Sequence, residues 1–185
     1  MVTTEMPRTV LHRAFFAILP PTTVHAALDA LRRAHCPGGT TVRSDRAHVT
    51  LEIFDDHPTP PDALLKRLVP IGYAVVAPAF RLVLDQVSGT PESVALRPSR
   101  RSAGLANLQR EIDARVKAAG LRVRDRWRFN PHLTLGYRDG ASFKRAIAPV
   151  AWDVGELVLI HSFVGLTRHK PVARWPLAPE LPLFQ

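Results

Sequence analysis

Hydrophobic positions along the chain switch repeatedly between the period of a strand and the period of a helix. Leu11 to Leu19 is a near-continuous apolar and aromatic run and predicts a buried strand. Pro20-Pro21-Thr22-Thr23 then sets up a helix start with a threonine cap, and Val24, Ala27, Leu28 and Leu31 follow at helical spacing until Pro37-Gly38-Gly39. Ala47 to Phe54 predicts the next strand. Thr59-Pro60-Pro61-Asp62 opens a second helix that Pro70 is expected to close. From Ala79 to Val87 the alternation is clean, with Phe80, Leu82 and Leu84 on one face and Arg81, Val83 and Asp85 on the other. A turn at Ser88-Gly89-Thr90-Pro91 leads to a returning strand, Ser93 to Arg97. Leu105, Leu108, Ile112, Val116 and Ala119 form the longest helical stripe, stopped by Gly120. Arg128 to Tyr137 predicts a strand, 142–147 a short helix, Trp152 to Val164 one long strand, and Pro171 to Trp175 a last short one; residues 1–9 carry no pattern and predict a loose tail.

Within this succession two strands, each preceded by a helix, carry nearly the same tetrapeptide: His48-Val49-Thr50-Leu51 and, 84 residues later, His132-Leu133-Thr134-Leu135. Residues i and i+2 of a strand share a face. Each histidine therefore shares its face with its threonine, and two such strands side by side would gather two imidazoles and two hydroxyls in one cleft. The repeat suggests a worn duplication, its halves packed as lobes around a shared groove without a low-complexity linker.

Charge changes the picture more than size does. The 185 residues make one domain, 1–185, with enough length for a real core. Lysine and arginine exceed acids to give a net charge of +9, and 21 of those 25 basic residues are arginine. Arginine grips phosphate with a planar fork, so the bias suits a phosphate-bearing partner, although arginine-favouring codon usage gives the same composition. The single cysteine, Cys36, leaves no internal disulfide and fits a reducing, cytoplasmic setting; at a helix end running into a turn it is a poor nucleophile. No apolar run is long enough for a membrane span, and a monomer is expected.

The paired motif fits acid–base chemistry at a phosphodiester. Opening a 2′,3′-cyclic phosphate needs a base for water and an acid for the departing ribose oxygen, and histidine serves both near neutral pH. The two imidazoles must hold different protonation states, so their surroundings must separate their pKa values. Threonine hydroxyls can donate to the non-bridging oxygens, where charge grows. There is no His-Glu-x-x-His, no Cys/His cluster, no Gly-x-Ser-x-Gly and no glycine-rich phosphate loop, so neither a metal nor a cofactor is expected.

These residues resemble the 2H phosphoesterase superfamily, and within it the RNA 2′,3′-cyclic phosphodiesterase or 2′-5′ RNA ligase branch. The likeness runs in order through Arg13-Ala14-Phe15-Phe16-Ala17-Ile18-Leu19-Pro20-Pro21, Ala47-His48-Val49-Thr50-Leu51, Phe129-Asn130-Pro131-His132-Leu133-Thr134-Leu135-Gly136 and Ala173-Arg174-Trp175-Pro176-Leu177. The resemblance implies an α+β, bilobal fold in which two antiparallel sheets face a central groove with helices on the outer faces. It implies hydrolysis of cyclic phosphates to 2′-phosphates without metal, with reverse ligation as a further capacity. His48 and His132 would be the catalytic pair, the second activating water and the first acting as acid, and Thr50 and Thr134 would hold phosphate. Where the family often has arginine after the second motif this chain has Tyr137, with Arg138 one place on and so on the other face. Arg46 and Arg128, in phase with their histidines, are the replacement phosphate contacts. Expected partners are RNA 3′ ends or cyclic nucleotides. A non-catalytic basic RNA-binding module, or a related enzyme acting on ADP-ribose cyclic phosphate or 2′-5′ oligonucleotides, stays open. Phe15, Phe16, Trp127 and Phe163 are the aromatic side chains available for stacking on a base.

Overall fold

The computed structural model describes residues 10–179; the tail expected at 1–9 lies outside them. Three helices, α1 (His25–His35), α2 (Asp62–Ala74) and α3 (Ala103–Ala118), pack on a nine-stranded antiparallel sheet. The strands are β1 (Leu11–Ile18), β2 (Thr40–Thr41), β3 (Val49–Ile53), β4 (Phe80–Gly89), β5 (Ser93–Arg97), β6 (Leu133–Tyr137), β7 (Phe143–Val154), β8 (Glu156–Val164) and β9 (Arg168–Pro176). Their order is β7-β4-β5-β6-β3-β1-β8-β9, with β2 paired to β6.

The sheet is two antiparallel halves whose strands join at a seam, with a backbone bridge between Pro78 and Ala178 tying the lead into β4 to the end of β9. β7-β4-β5-β6 and β3-β1-β8-β9 meet through β3 and β6, and the register there is a single pair, Val49 opposite Leu133. The expected α+β bilobal architecture is thus present, with its two sheets fused at a seam. Alternation sorts the side chains: Ala14, Phe16 and Ile18 of β1 face the helix-covered core, while Phe15 and Ala17 sit in a separate small cluster with Val158 and Ile160. α2 lies against β8 and β9, α1 against β6, and α3 against β3 and β4, across the seam. At one of these contacts the ring of Trp175 occupies the space a Cβ on Gly72 would need.

Four local readings change. Of the helix expected at 142–147, residues 143–147 belong instead to strand β7, paired with β4 from Phe143↔Gly89 to Val154↔Phe80. β7 is an edge strand, and Pro149 falls where the register shifts, a position that asks no ladder hydrogen bond of it. The long strand expected at Trp152 to Val164 is broken at Gly155, where the chain leaves β4 in one half and joins β1 in the other. Pro70 does not close α2, which continues to Ala74. Burial of Ile71 and Gly72 against the sheet offsets the bond that proline forfeits to the turn before it. The expected threonine cap is also replaced: Thr22–Val24 form a 3-10 turn ahead of α1, with no side-chain cap.

β6 is crowded on both edges. β5 runs along one, while β2 and β3 share the other, with Thr41 opposite Gly136 and Val49 opposite Leu133. A Cβ on Gly136 would lie 2.8 Å from the Thr40 carbonyl oxygen and 3.2 Å from Cys36 Sγ. Gly136→Ala is therefore expected to lower stability by roughly 1–3 kcal/mol, read as a reduced denaturation midpoint in urea; an unchanged midpoint would show that the β2–β6 approach is not tight.

Candidate active site

The seam decides which side chains meet. Val49 and Leu133 are fully buried on the core side, so their neighbours His48, Thr50, His132 and Thr134 turn to the opposite face. In an antiparallel pair centred on Val49 and Leu133, the next positions outward set His48 beside Thr134 and Thr50 beside His132. All four line one cavity of about 420 Å³. Each histidine stands just before its strand begins, at Val49 and at Leu133.

The two halves of the site match in their hydrogen bonds. His48 Nδ1 donates to the carbonyl of Arg46 at 2.8 Å, and His132 Nδ1 donates to the carbonyl of Asn130 at 2.7 Å. In each case the acceptor lies two residues upstream. The bond assigns the proton to Nδ1 and leaves Nε2 as the working nitrogen.

Burial makes both rings poor proton holders in the empty groove. His48 is pushed down to about 4, chiefly by desolvation, with His169 and His132 adding repulsion against the opposing effect of the Arg46 carbonyl. His132 is lowered by burial and then by the charge of Arg97, again against its carbonyl partner. The two differ in surroundings: His48 packs against Phe15 and His169, with ring centroids 4.9 and 5.1 Å away, whereas an arginine faces His132.

Among the arginines, Arg46 lines the groove, gives one amino group to the Thr167 carbonyl and keeps a buried, unpartnered Nε. Arg128 does not reach it. The strand expected from Arg128 begins only at Leu133, so the phase that tied Arg128 to His132 is lost; its side chain is exposed and bonds the Trp127 carbonyl. Arg138 points elsewhere, over Phe143 and onto the Ala141 carbonyl. Of the aromatic side chains, Phe15 and Phe163 line the cavity, while Phe16 is in the core and Trp127 lies outside both. Cys36 is buried, and burial raises its thiol pKa, as suits an inert side chain.

Three lining residues escape the sequence patterns. Arg13 comes from an apolar strand and is held by Asp56 through bonds of 2.6 and 2.8 Å, while Arg124 takes the same carboxylate at 2.7 Å. His169 arrives from β9, with its proton affinity lowered by burial and by Arg46 and Arg13. Tyr137, in place of the arginine that the resemblance leads one to expect, also lines the cavity. Only the three-dimensional return of β8 and β9 beside β1 could reveal His169. Of the remaining histidines, His12 and His161 pair with each other at 2.9 Å.

Comparison with known proteins identifies the family and the fold. The family model described as the 2′-5′ RNA ligase superfamily matches residues 20–163. The chain belongs to the 2′-5′ RNA ligase superfamily. Among solved structures, this superfamily member is similar to Escherichia coli LigT in its apo form, with TM-score 0.71, 25% identity, and 91% of this chain and 99% of that chain covered. The Escherichia coli LigT complex with 3′-AMP gives TM-score 0.71 and 27% identity, covering 90% of this chain and 98% of that one. TT0787 of Thermus thermophilus shares the fold at TM-score 0.75 and 22% identity, covering 91% of this chain and all of that one (100%). No curated protein matches the chain. Among the described residues, no helix is long and apolar enough to cross a membrane.

On the reverse side of β3 a bulge admits an acid to the core. Leu51 is the extra residue between the pairs Thr50↔Ala17 and Glu52↔Phe16, so Glu52 points toward α3. It is 1% exposed and accepts a 3.3 Å bond from Gln109, while its other oxygen has no partner. Desolvation, reinforced by Asp113, raises its pKa to about 7 from 4.5. The folded chain thus keeps a proton that the unfolded chain releases. Stability from this group is full below pH 4.5 and is lost as pH rises toward 7. Glu52→Gln is expected to raise the melting temperature at pH 8 and to change it little near pH 4.5; an equal shift at both pH values would contradict the buried neutral acid.

Proposed function

We propose that the groove is the active site of a phosphodiesterase that opens 2′,3′-cyclic phosphates to 2′-phosphates. The observation that carries this reading is the matched pair of Nδ1-anchored imidazoles, each with its threonine, lining one cavity of about 420 Å³. One imidazole Nε2 takes a proton from water as the water oxygen bonds to phosphorus. The other, protonated at Nε2, delivers its proton to the ribose 3′ oxygen as the phosphorus–O3′ bond breaks. The product carries a 2′-phosphate and a free 3′-hydroxyl. His132 is assigned to the water and His48 to the leaving oxygen; the roles exchange when the cyclic phosphate is re-formed, whereas in ligation a 5′-hydroxyl takes the place of the water and the roles stay as they are.

An anionic phosphate supports the required protonation state. It places a negative charge beside rings whose proton affinity the empty groove has lowered, and so restores a proton to one of them. Thr50 and Thr134 donate to the non-bridging oxygens, and Arg46, which makes no ion pair among the described residues, supplies charge. Phe15 gives the groove an aromatic floor. The nucleotide seen with Escherichia coli LigT, 3′-AMP, supports a nucleotide ligand here.

Turnover of a 2′,3′-cyclic mononucleotide is expected to persist in excess EDTA and to give only the 2′-phosphate; a 3′-phosphate product would overturn the assigned geometry. His48→Ala and His132→Ala should each lower kcat by about 10²–10⁴-fold while ligand binding, followed by calorimetry, survives. Full activity in either variant would remove the paired acid–base role.

The pH dependence carries its own test. The base must be neutral and the acid protonated in the free enzyme. Both histidines lie below the ordinary value of 6.5, His48 near 4. The kcat/KM profile should therefore peak on the acid side of 6.5 and fall as pH rises through neutrality. A maximum well above pH 7 would contradict the site's electrostatics.

A further inference from the structure

A second cavity, of about 440 Å³, lies beside the loop that carries His132 and shares no lining residue with the groove. Its walls are apolar where Pro98, Leu105, Ala106, Phe129 and Pro131 contribute. Around these stand Arg97, Arg100, Arg101 and Arg110, and no aspartate or glutamate lines the space. Arg100, Arg101 and Arg110 are exposed, and none makes an ion pair among the described residues. The carboxylate that feels Arg100, Asp85, is already engaged by the backbone N–H of Ser99 at 2.7 Å and its hydroxyl at 2.6 Å. Four arginines with Asp85 as the acid that feels one of them leave an excess of positive charge that favours an anion.

The cavity adjoins the groove through the segment that leads into β6. Asn130 and Pro131 line it, while His132 lines the groove; two residues of chain span at most about 7 Å. Arg97 links the two spaces. It donates to Asn130 Oδ1 at 2.7 Å and to Ser88 Oγ at 2.9 Å, and its charge lowers the proton affinity of His132.

We propose that this cavity binds the body of a single-stranded RNA whose cyclic-phosphate end sits in the groove. The arginines hold a phosphodiester upstream of the terminal ribose, and a base packs on the apolar wall at Phe129 and Pro131. Arginines around an aromatic surface are the chemistry that single strands use, charge for the backbone and a flat apolar face for the base. A lipid surface has no access to apolar walls recessed behind arginines. The proposal rests on the cyclic-phosphate reading of the groove and adds the place where the strand upstream of that end is held.

The test uses a triple charge reversal, Arg100→Glu, Arg101→Glu and Arg110→Glu, with the wild-type melting temperature as the check on folding. Affinity is read by fluorescence anisotropy with a short 5′-labelled RNA ending in a 2′-phosphate, so no turnover is needed. In parallel, kcat/KM is measured on a 2′,3′-cyclic mononucleotide. The variant should bind the RNA about tenfold or more weakly, and its dependence of log Kd on log salt should fall by about two, three contacts at ~0.7 each. Mononucleotide turnover should stay within about twofold, because the charges reversed lie outside the groove. Unchanged RNA affinity overturns the proposal, as does a loss of mononucleotide turnover equal to the loss of RNA binding. Unchanged RNA affinity with lost binding to phosphatidylglycerol vesicles overturns it in favour of a lipid surface. A wild type that turns over no cyclic phosphate, yet binds RNA through these arginines, refutes the reading of the groove while upholding the second cavity.

Discussion

The backbone pairing of Val49 with Leu133 is a small contact on which two things depend at once. Among the named strands it is the pairing that joins the two halves of the sheet, and it fixes which residues flank it. Because side chains alternate across a strand, burying Val49 and Leu133 in the core obliges His48, Thr50, His132 and Thr134 to face the groove. A slip of one residue in either strand would send one histidine and its threonine into the interior. Site geometry and core burial are therefore a single constraint. α3, packed on β3 and β4, supports that seam from behind.

The sequence shows most where local period and chemistry agree. β1, β4, β5 and the α3 stripe are readable from alternation or helical spacing, and the repeated His-x-Thr identifies the four central groove residues. It fails where the decision is tertiary. The segment 143–147 becomes a strand because the exposed edge of β4 recruits it, and Gly155 breaks a strand because the chain must cross between halves. Pro70 stays within α2 because packing against β9 outweighs a lost backbone bond. Strand phase ties Arg128 to His132 across a stretch that is not yet strand, whereas Arg13 and His169 come from distant elements with no motif of their own. Simple alternation along β3 gives no sign that Glu52 is buried; the Leu51 bulge turns it inward.

The groove accepts an electrostatic compromise. Enclosing two imidazoles among Phe15, His169 and two arginines gives them position but makes them reluctant to carry a proton. The same enclosure strengthens every interaction with an anion that enters, because fewer waters screen it. Arg13 is pinned by Asp56, a carboxylate it shares with Arg124, and its charge still reaches His169; Arg46 makes no ion pair among the described residues. The proposed phosphate would supply the negative charge that offsets this reluctance.

Both imidazoles hang from main-chain carbonyls, those of Arg46 and Asn130, and not from a carboxylate. A main-chain acceptor persists whatever side chain the residue bears. Evolution is therefore free to exchange positions 46 and 130, and with them the preference among ligands, without disturbing the tautomer on which proton transfer relies. Divergence of specificity and constancy of reaction can coexist in such a scaffold because one is written in side chains and the other in the path of the backbone.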